Sequence, residues 1–208
     1  MTFEQSKINI GNLDFSIKSD ASFNFDLIEE GVRLILAGIG EDIHRDGIKK
    51  TPYRVAKMYK ELCSNTNNHL SDKDLTTFSE NVTGQIIAVK DIYFSTICEH
   101  HLLPFFGQAH IAYIPKTNKI AGLSKLARIV DFYAKRLQVQ ERMTYEIAQA
   151  VSNLLDAKGV LVLLQAEHLC MSIRGTNKPG AKTNTMLAQG ILETDINARN
   201  EALNLLRI

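Results

Sequence analysis

The sequence has almost no charge bias. Its 24 Lys and Arg stand against 23 Asp and Glu, a formal net charge of +1. Such a balance excludes a strongly basic nucleic-acid binder and an acidic tail, so an anion site has to be built locally, residue by residue. Long apolar runs are missing too. No uncharged stretch approaches the roughly 18 residues of a membrane span, and the opening "MTFEQSKINIGNLDFSIKSD" has neither a signal core nor a cleavage pattern. The expectation is a cytoplasmic protein. Cysteine is scarce and odd in number: Cys63, Cys98 and Cys170. In a reducing compartment disulfides are disfavoured, and metal-binding or catalytic roles gain weight.

What the chain does have is an ordinary globular composition, 45% hydrophobic over 208 residues, which suits one domain or one domain with an added lobe. Residues 1–23 are polar and aperiodic and read as an arm. In residues 24–40, Leu27, Val32, Ile35 and Leu36 recur at helical spacing. "TPYRVAKMYKELC" reads as a second helix, with Thr51 as N-cap, Pro52 in the first helical position and Val55, Met58, Tyr59 and Leu62 as its apolar stripe. Cys63 closes that stripe and reads as a packing cysteine. Residues 64–80 are polar and read as a loop. Residues 84–97 and 107–115 read as two strands, a hairpin around the segment between them. Leu126, Ile129, Val130, Tyr133 and Leu137 predict one helix, and Met143, Ile147, Val151 and Leu154 another. Residues 159–174 and 180–192 predict two final strands. Paired strands on either side of two helices argue for α+β architecture with an antiparallel sheet.

The segment inside the hairpin is "STICEHHLLPFFG", which crowds Cys98, Glu99, His100 and His101 against an apolar run. In a helical turn, Cys98 and His101 would share a face. A second cluster, "EHLC", places His168 and Cys170 two apart. Read as a strand, that spacing puts both on one face, with Ser172 and Arg174 following. Thiolate and imidazole ligands suit zinc. The candidates are Cys98, His100 or His101, His168 and Cys170. Four protein ligands would make a closed structural site, and three would leave a position for water. His44, His69 and His110 have no clustered partner and read as surface or hydrogen-bonded core histidines.

"GLSKLAR" opens a helix with Ser124 as N-cap. Lys125 and Arg128 sit on one face of its first turn, against the preference of the helix dipole for anions. A hydroxyl, free backbone N–H groups and two cations would together bind phosphate. Arg174 would add a bidentate donor. Gln140 and Glu141 begin the next helix. Glu141 reads either as ordinary dipole complementation or as an acceptor for a guanine-type N–H/NH₂ edge.

Taken together, "TPYRVAKMY", "STICEHHLLPFFG", "YIP", "GLSKLARIV", "QVQERMT", "EHLCMSIRG" and "TNTML" resemble, in order and spacing, the zinc-dependent form of the GTP cyclohydrolase I family. The resemblance covers about residues 51–190. It implies the tunnelling fold, an antiparallel four-stranded sheet with two helices between the strand pairs. Residues 24–80 would be a helical N-terminal extension and residues 81–208 the catalytic domain. It implies a homodecamer of two pentamers with active sites between subunits. It also implies zinc ligands Cys98, His101 and Cys170, with His100 and His168 left for proton transfer. Ser124, Lys125, Arg128 and Arg174 would hold the triphosphate of GTP, with Arg54 from a neighbouring subunit. Glu141, assisted by Gln140, would anchor guanine. The implied reaction takes GTP and water to 7,8-dihydroneopterin triphosphate and formate, for folate or pterin synthesis. A fold-sharing nitrile reductase would instead use a cysteine nucleophile and NADPH, which the paired Cys98 and Cys170 argue against.

Overall fold

A computed structural model describes residues 7–10, 13–16, 22–71, 77–82 and 84–207. The chain divides into two units, Met1–Asn67 and Asn68–Ile208.

The first unit holds a short antiparallel pair, β1 (Lys7–Ile10) and β2 (Leu13–Ser16), and two helices, α1 (Phe25–Gly38) and α2 (Thr51–Leu62). The rest of the expected arm, apart from residues 22 and 23, lies outside the described residues. Asn24 caps α1, its side chain accepting from the Leu27 N–H at 2.9 Å. On α2 the cap differs from expectation by one residue. Lys50 occupies the cap position and makes no side-chain cap bond, while Thr51 is already helical. The Lys50 carbonyl accepts the Arg54 N–H at 3.1 Å. The ring of Pro52 fits here because the first-turn N–H groups have no intrahelical acceptor anyway.

The second unit is built on one sheet. Its antiparallel core runs β4 (Ile87–Cys98), β5 (Pro104–Pro115), β8 (Ala157–His168) and β9 (Lys182–Gly190). A two-residue strand, β7 (Leu137–Gln138), pairs parallel with the end of β4. A separate short pair joins β3 (Thr77–Ser79) to β6 (Lys119–Ala121), so the segment expected as loop carries a strand. Helices α3 (Leu123–Ala134) and α4 (Gln140–Leu155) come between β5 and β8 in the chain, as the strand-pair reading expects. The long strand expected over 159–174 is cut short. β8 ends at His168, and residues Leu169–Ser172 form a helical turn, α5. After β9 come a second such turn, α6 (Ile191–Thr194), and a helix the apolar pattern did not announce, α7 (Ile196–Leu205).

Both faces of the sheet are covered, which is why its central strands read as continuous apolar runs. Phe105, Ile111, Tyr113, Val160, Val162 and Leu164 share one core with α3 and α4 residues such as Leu126, Ile129, Met143 and Ile147. The alternate residues Ala112, Ile114 and Leu161 face a second, smaller core closed by Leu192, Ala202 and Leu206. β5 and β8 approach closely at Gly107, where an added Cβ would stand 1.9 Å from the Gln165 carbonyl oxygen, so only glycine fits. Among the described residues no helix is long and apolar enough to cross a membrane.

Candidate active site

The turn between β4 and β5 begins with Cys98, buried at the end of its strand. Its N–H donates to the Leu103 carbonyl at 2.9 Å, and its own carbonyl accepts from the Leu102 N–H at 2.9 Å. The second bond winds 98–102 into one helical turn, which brings His101 round to the Cys98 side as the spacing suggested. Leu102 takes a left-handed φ of 54° to leave the turn.

Cys170 comes from the same end of the sheet by another route. Phe105, just past the turn, is in register with His168, the last residue of β8. The strand-face argument for His168 and Cys170 does not hold, because the chain has become helical by Leu169. The α5 turn, rather than strand alternation, carries Cys170 to Cys98 and His101. One ligand atom from each of the three lies within 4.8 Å of the others. Zinc bonds of about 2.0–2.3 Å would place tetrahedral ligands a little closer than that, so small side-chain movements close the group on an ion. Two soft thiols and an imidazole suit such an ion, and three ligands leave a fourth position open. Among the described residues all three cysteines are free thiols. Burial, then the neighbouring Cys98 thiol, push the Cys170 thiol above its usual range, while Arg174 pulls the other way. A cation binding here would therefore displace protons.

The two remaining histidines flank the group. Exposed His100 places Nδ1 3.7 Å from Cys98 Sγ. Half-buried His168 stacks flat on Phe105, with ring centroids 4.4 Å apart and planes 6° from parallel. That stack is what the apolar run after the histidines contributes. Its Nε2 lies 2.8 Å from Gln140 Oε1. Burial holds the His168 pKa below the usual histidine range, and the charge of Glu141 opposes this.

Gln140, Glu141 and Arg174 thus belong to the neighbourhood of the cysteine-histidine group. Glu141 and Arg174 are exposed, whereas Gln140 is 1% exposed and its side chain is engaged inside the protein. On α3, Gly122 is the cap and Ser124 the second helical residue, so Ser124 is not the N-cap. The extended backbone of Gly122 takes that place, and its carbonyl accepts the Lys125 N–H at 2.8 Å. Lys125 is half-buried and Arg128 exposed. Among the described residues the Ser124 hydroxyl and the Arg128 guanidinium have no protein partner. Arg54 is exposed on α2, in the other unit.

Two carboxylates that sequence reasoning passed over hold these loops. Glu99 pairs with Arg142 Nη2, which also donates to the Leu137 carbonyl at 3.0 Å, while Arg142 Nε donates to Gln138 Oε1 at 3.1 Å. The guanidinium keeps the Glu99 carboxyl below the usual range, and the pair ties the Cys98–His101 turn to the start of α4. Glu167 accepts the Ser172 hydroxyl at 2.6 Å and the Gly180 N–H at 3.0 Å, bracketing the loop that carries Cys170 and Arg174. Those bonds lower its pKa in turn. The only signal for the first pair was two opposite charges, each lodged inside a site motif.

The family model for GTP cyclohydrolase I matches residues 28–207. GTP cyclohydrolase 1 of Geobacillus kaustophilus (strain HTA426) is 50% identical over 184 residues, 88% of this chain and 97% of the relative. GTP cyclohydrolase 1 of Bacillus subtilis (strain 168) is 51% identical over 180 residues, 86% of this chain and 94% of the relative. Among solved structures, the archaeosine synthase QueF-Like in the apo form is a distant likeness. It is 14% identical with a TM-score of 0.43, over 52% of this chain and 96% of that one.

Proposed function

The chain belongs to the GTP cyclohydrolase I family, and from that premise we propose that Cys98, His101 and Cys170 hold a zinc ion at the centre of an enzyme that opens the imidazole ring of GTP. The net reaction takes GTP and water to 7,8-dihydroneopterin triphosphate and formate, at the entry to pterin and folate synthesis. The observation that carries this reading is the convergence of two thiols and an imidazole beside a half-buried histidine. Zinc bound there would supply Lewis-acid chemistry, making water acidic enough to attack C8 of the purine near neutral pH.

The chain's own groups do the rest. His168, fixed between Phe105 and Gln140, passes a proton to a ring nitrogen as the imidazole opens, and His100 serves as a second proton carrier. Glu141, an acceptor-only carboxylate, faces the adjacent N1–H and 2-amino donors of guanine, with Gln140 next to it in the chain. Ser124, Lys125, Arg128 and Arg174 hold the triphosphate, together with Arg54 of a neighbouring subunit. That Arg128 has no protein partner among the described residues supports its role as an anion ligand. The triphosphate is not cleaved, so this clamp acts by positioning.

The same reading makes the sheet one segment of a tunnelling-fold ring, in a homodecamer of two pentamers. It makes residues 1–23 an arm, 24–80 a helical extension and 81–208 the catalytic domain, working in the cytoplasm. The test is incubation of zinc-loaded protein with GTP. Formate and, after oxidation, a fluorescent pterin should appear in equal amounts and stop on chelation. Binding of GTP without formate release from a zinc-loaded sample would instead indicate a non-catalytic zinc protein.

A further inference from the structure

Gln140 is the first residue of α4, and its side chain is among the most enclosed polar groups described, at 1% exposure. Its Nε2 lies 3.1 Å from the Leu164 carbonyl, 3.0 Å from the Thr183 carbonyl and 3.1 Å from Thr185 Oγ1. Two of these partners are backbone carbonyls, which only accept. The amide therefore has one workable orientation: nitrogen towards the β8–β9 seam, oxygen towards His168. A flipped amide would press its oxygen against two other oxygens.

The direction of each hydrogen bond around it follows. Thr144 Oγ1 donates to the Gln140 carbonyl at 2.8 Å. Its proton is then committed, so Thr185 donates to Thr144 across their 2.6 Å contact, and the two amide protons of Gln140 are shared among the two carbonyls and Thr185 Oγ1. What remains is Gln140 Oε1, an acceptor, 2.8 Å from His168 Nε2. The ring nitrogen facing it must carry the proton. In the neutral ring the other nitrogen, Nδ1, then holds a lone pair. Among the described residues Nδ1 has no protein hydrogen-bond partner, and it is not among the buried unpartnered atoms.

We infer that Gln140 is a positioning residue for the reaction: it fixes His168 as the Nε2–H tautomer and turns Nδ1 towards the bound substrate. This rests on the site reading given above and deepens it. Phe105 fixes the plane of the ring by stacking, and Gln140 fixes its rotation within that plane. The two constraints come from different elements, β5 and α4. Neither can be exchanged for a looser group without freeing the ring. Nδ1 is the atom that takes up or delivers the proton, while Nε2–H stays on the amide throughout. A neutral amide, unlike a carboxylate, accepts this bond without setting a negative charge against the ring.

The experiment has two arms. Magic-angle-spinning NMR of the metal-loaded, ¹⁵N-histidine-labelled protein, at a pH where His168 is neutral, reads the tautomer directly. His168 is assigned by its loss in His168→Asn. The expected result is a protonated Nε2 and a bare Nδ1; a proton on Nδ1 overturns the proposal. This arm stands whether or not the protein opens GTP. The second arm is Gln140→Met, similar in volume but without the amide. Metal content and KM for GTP should stay within about threefold, while kcat falls by about 10- to 100-fold, the scale for lost orienting partners. His168 should then show both tautomers. An unchanged kcat with a single unchanged tautomer overturns the proposal. So does a matched rise in KM at constant kcat, which would make Gln140 a plain substrate contact.

Discussion

At the residue scale, the candidate site separates groups of like chemistry by their surroundings. His101 and His100 are adjacent, yet only His101 falls within reach of both thiols. His168 and Cys170 are two apart, yet the strand ends between them, so one is stacked on an aromatic ring and the other reaches the metal group. The two residues should therefore fail differently. Cys170→Ala leaves two protein ligands, and we expect zinc and GTP-opening activity to disappear together. His168→Ala should keep its zinc and still bind GTP, while turnover falls by roughly 10²–10⁴, the usual range for a general acid–base. Metal content by mass spectrometry, set against formate release, separates the two. An empty metal site in His168→Ala would make His168 a fourth ligand and the site a closed one.

At the scale of elements, the hairpin β4–β5 carries a second histidine with another kind of role. The ladder shifts register between Val89 and Ile92, and Asp91 adopts a left-handed φ of 60° there. His110 lies opposite, fully buried, and its Nδ1 accepts the Asp91 N–H at 3.2 Å. Among the described residues its Nε2 has no hydrogen-bond partner. Burial depresses the His110 pKa; Asp91 works against this, and Lys90 adds to it. The unfolded chain, with an ordinary histidine pKa of about 6.5, then binds a proton that the folded chain refuses. Stability from this residue is complete above that value and is lost as pH falls below it towards the folded pKa. His110→Asn keeps an acceptor where Nδ1 stood but cannot titrate. Between pH ~7.5 and ~5.5, a window around that ordinary pKa, the denaturant midpoint of the wild type should fall more than that of His110→Asn. Both are to be measured at one chain concentration. Parallel midpoint curves would show that His110 does not contribute to the pH dependence.

At the scale of the whole molecule, the proposed site takes its metal group from one chain and Arg54 from a neighbouring copy. If neighbouring subunits complete one another's sites, two different defects can be combined. A chain with Arg54→Ala and a chain with Cys98→Ala should each be nearly inactive alone. Dissociated, mixed and reassembled, they should recover part of the wild-type rate through hybrid sites holding both native residues. A mixture no more active than its components, or a fully active monomer in sedimentation, would place Arg54 and the cysteines in one chain's site.

What the sequence determined by itself was whatever depends on near neighbours. A period of 3.6 announced α1 to α4, because an amphipathic face repeats along the chain, and runs rich in β-branched and apolar residues announced the long strands. Cys98 and His101 were legible as a pair because one helical turn spans them. Their kinship with a family was legible because the motifs are contiguous words. Only the tertiary structure decided the rest. Nothing in "EHLC" says that the strand stops at His168, since a β8 residue and an α5 residue can share the same composition. α7 escaped because its apolar residues do not form a regular stripe; Ala202 and neighbouring Leu206 find burial only where the second face of the sheet receives them. The amide of Gln140 could be oriented only after β8 and β9 had brought two carbonyls and a hydroxyl to it from 24, 43 and 45 residues away. A hydrogen bond acts over about 3 Å, and which groups come within that distance is set by the folded sheet, not by separation along the chain.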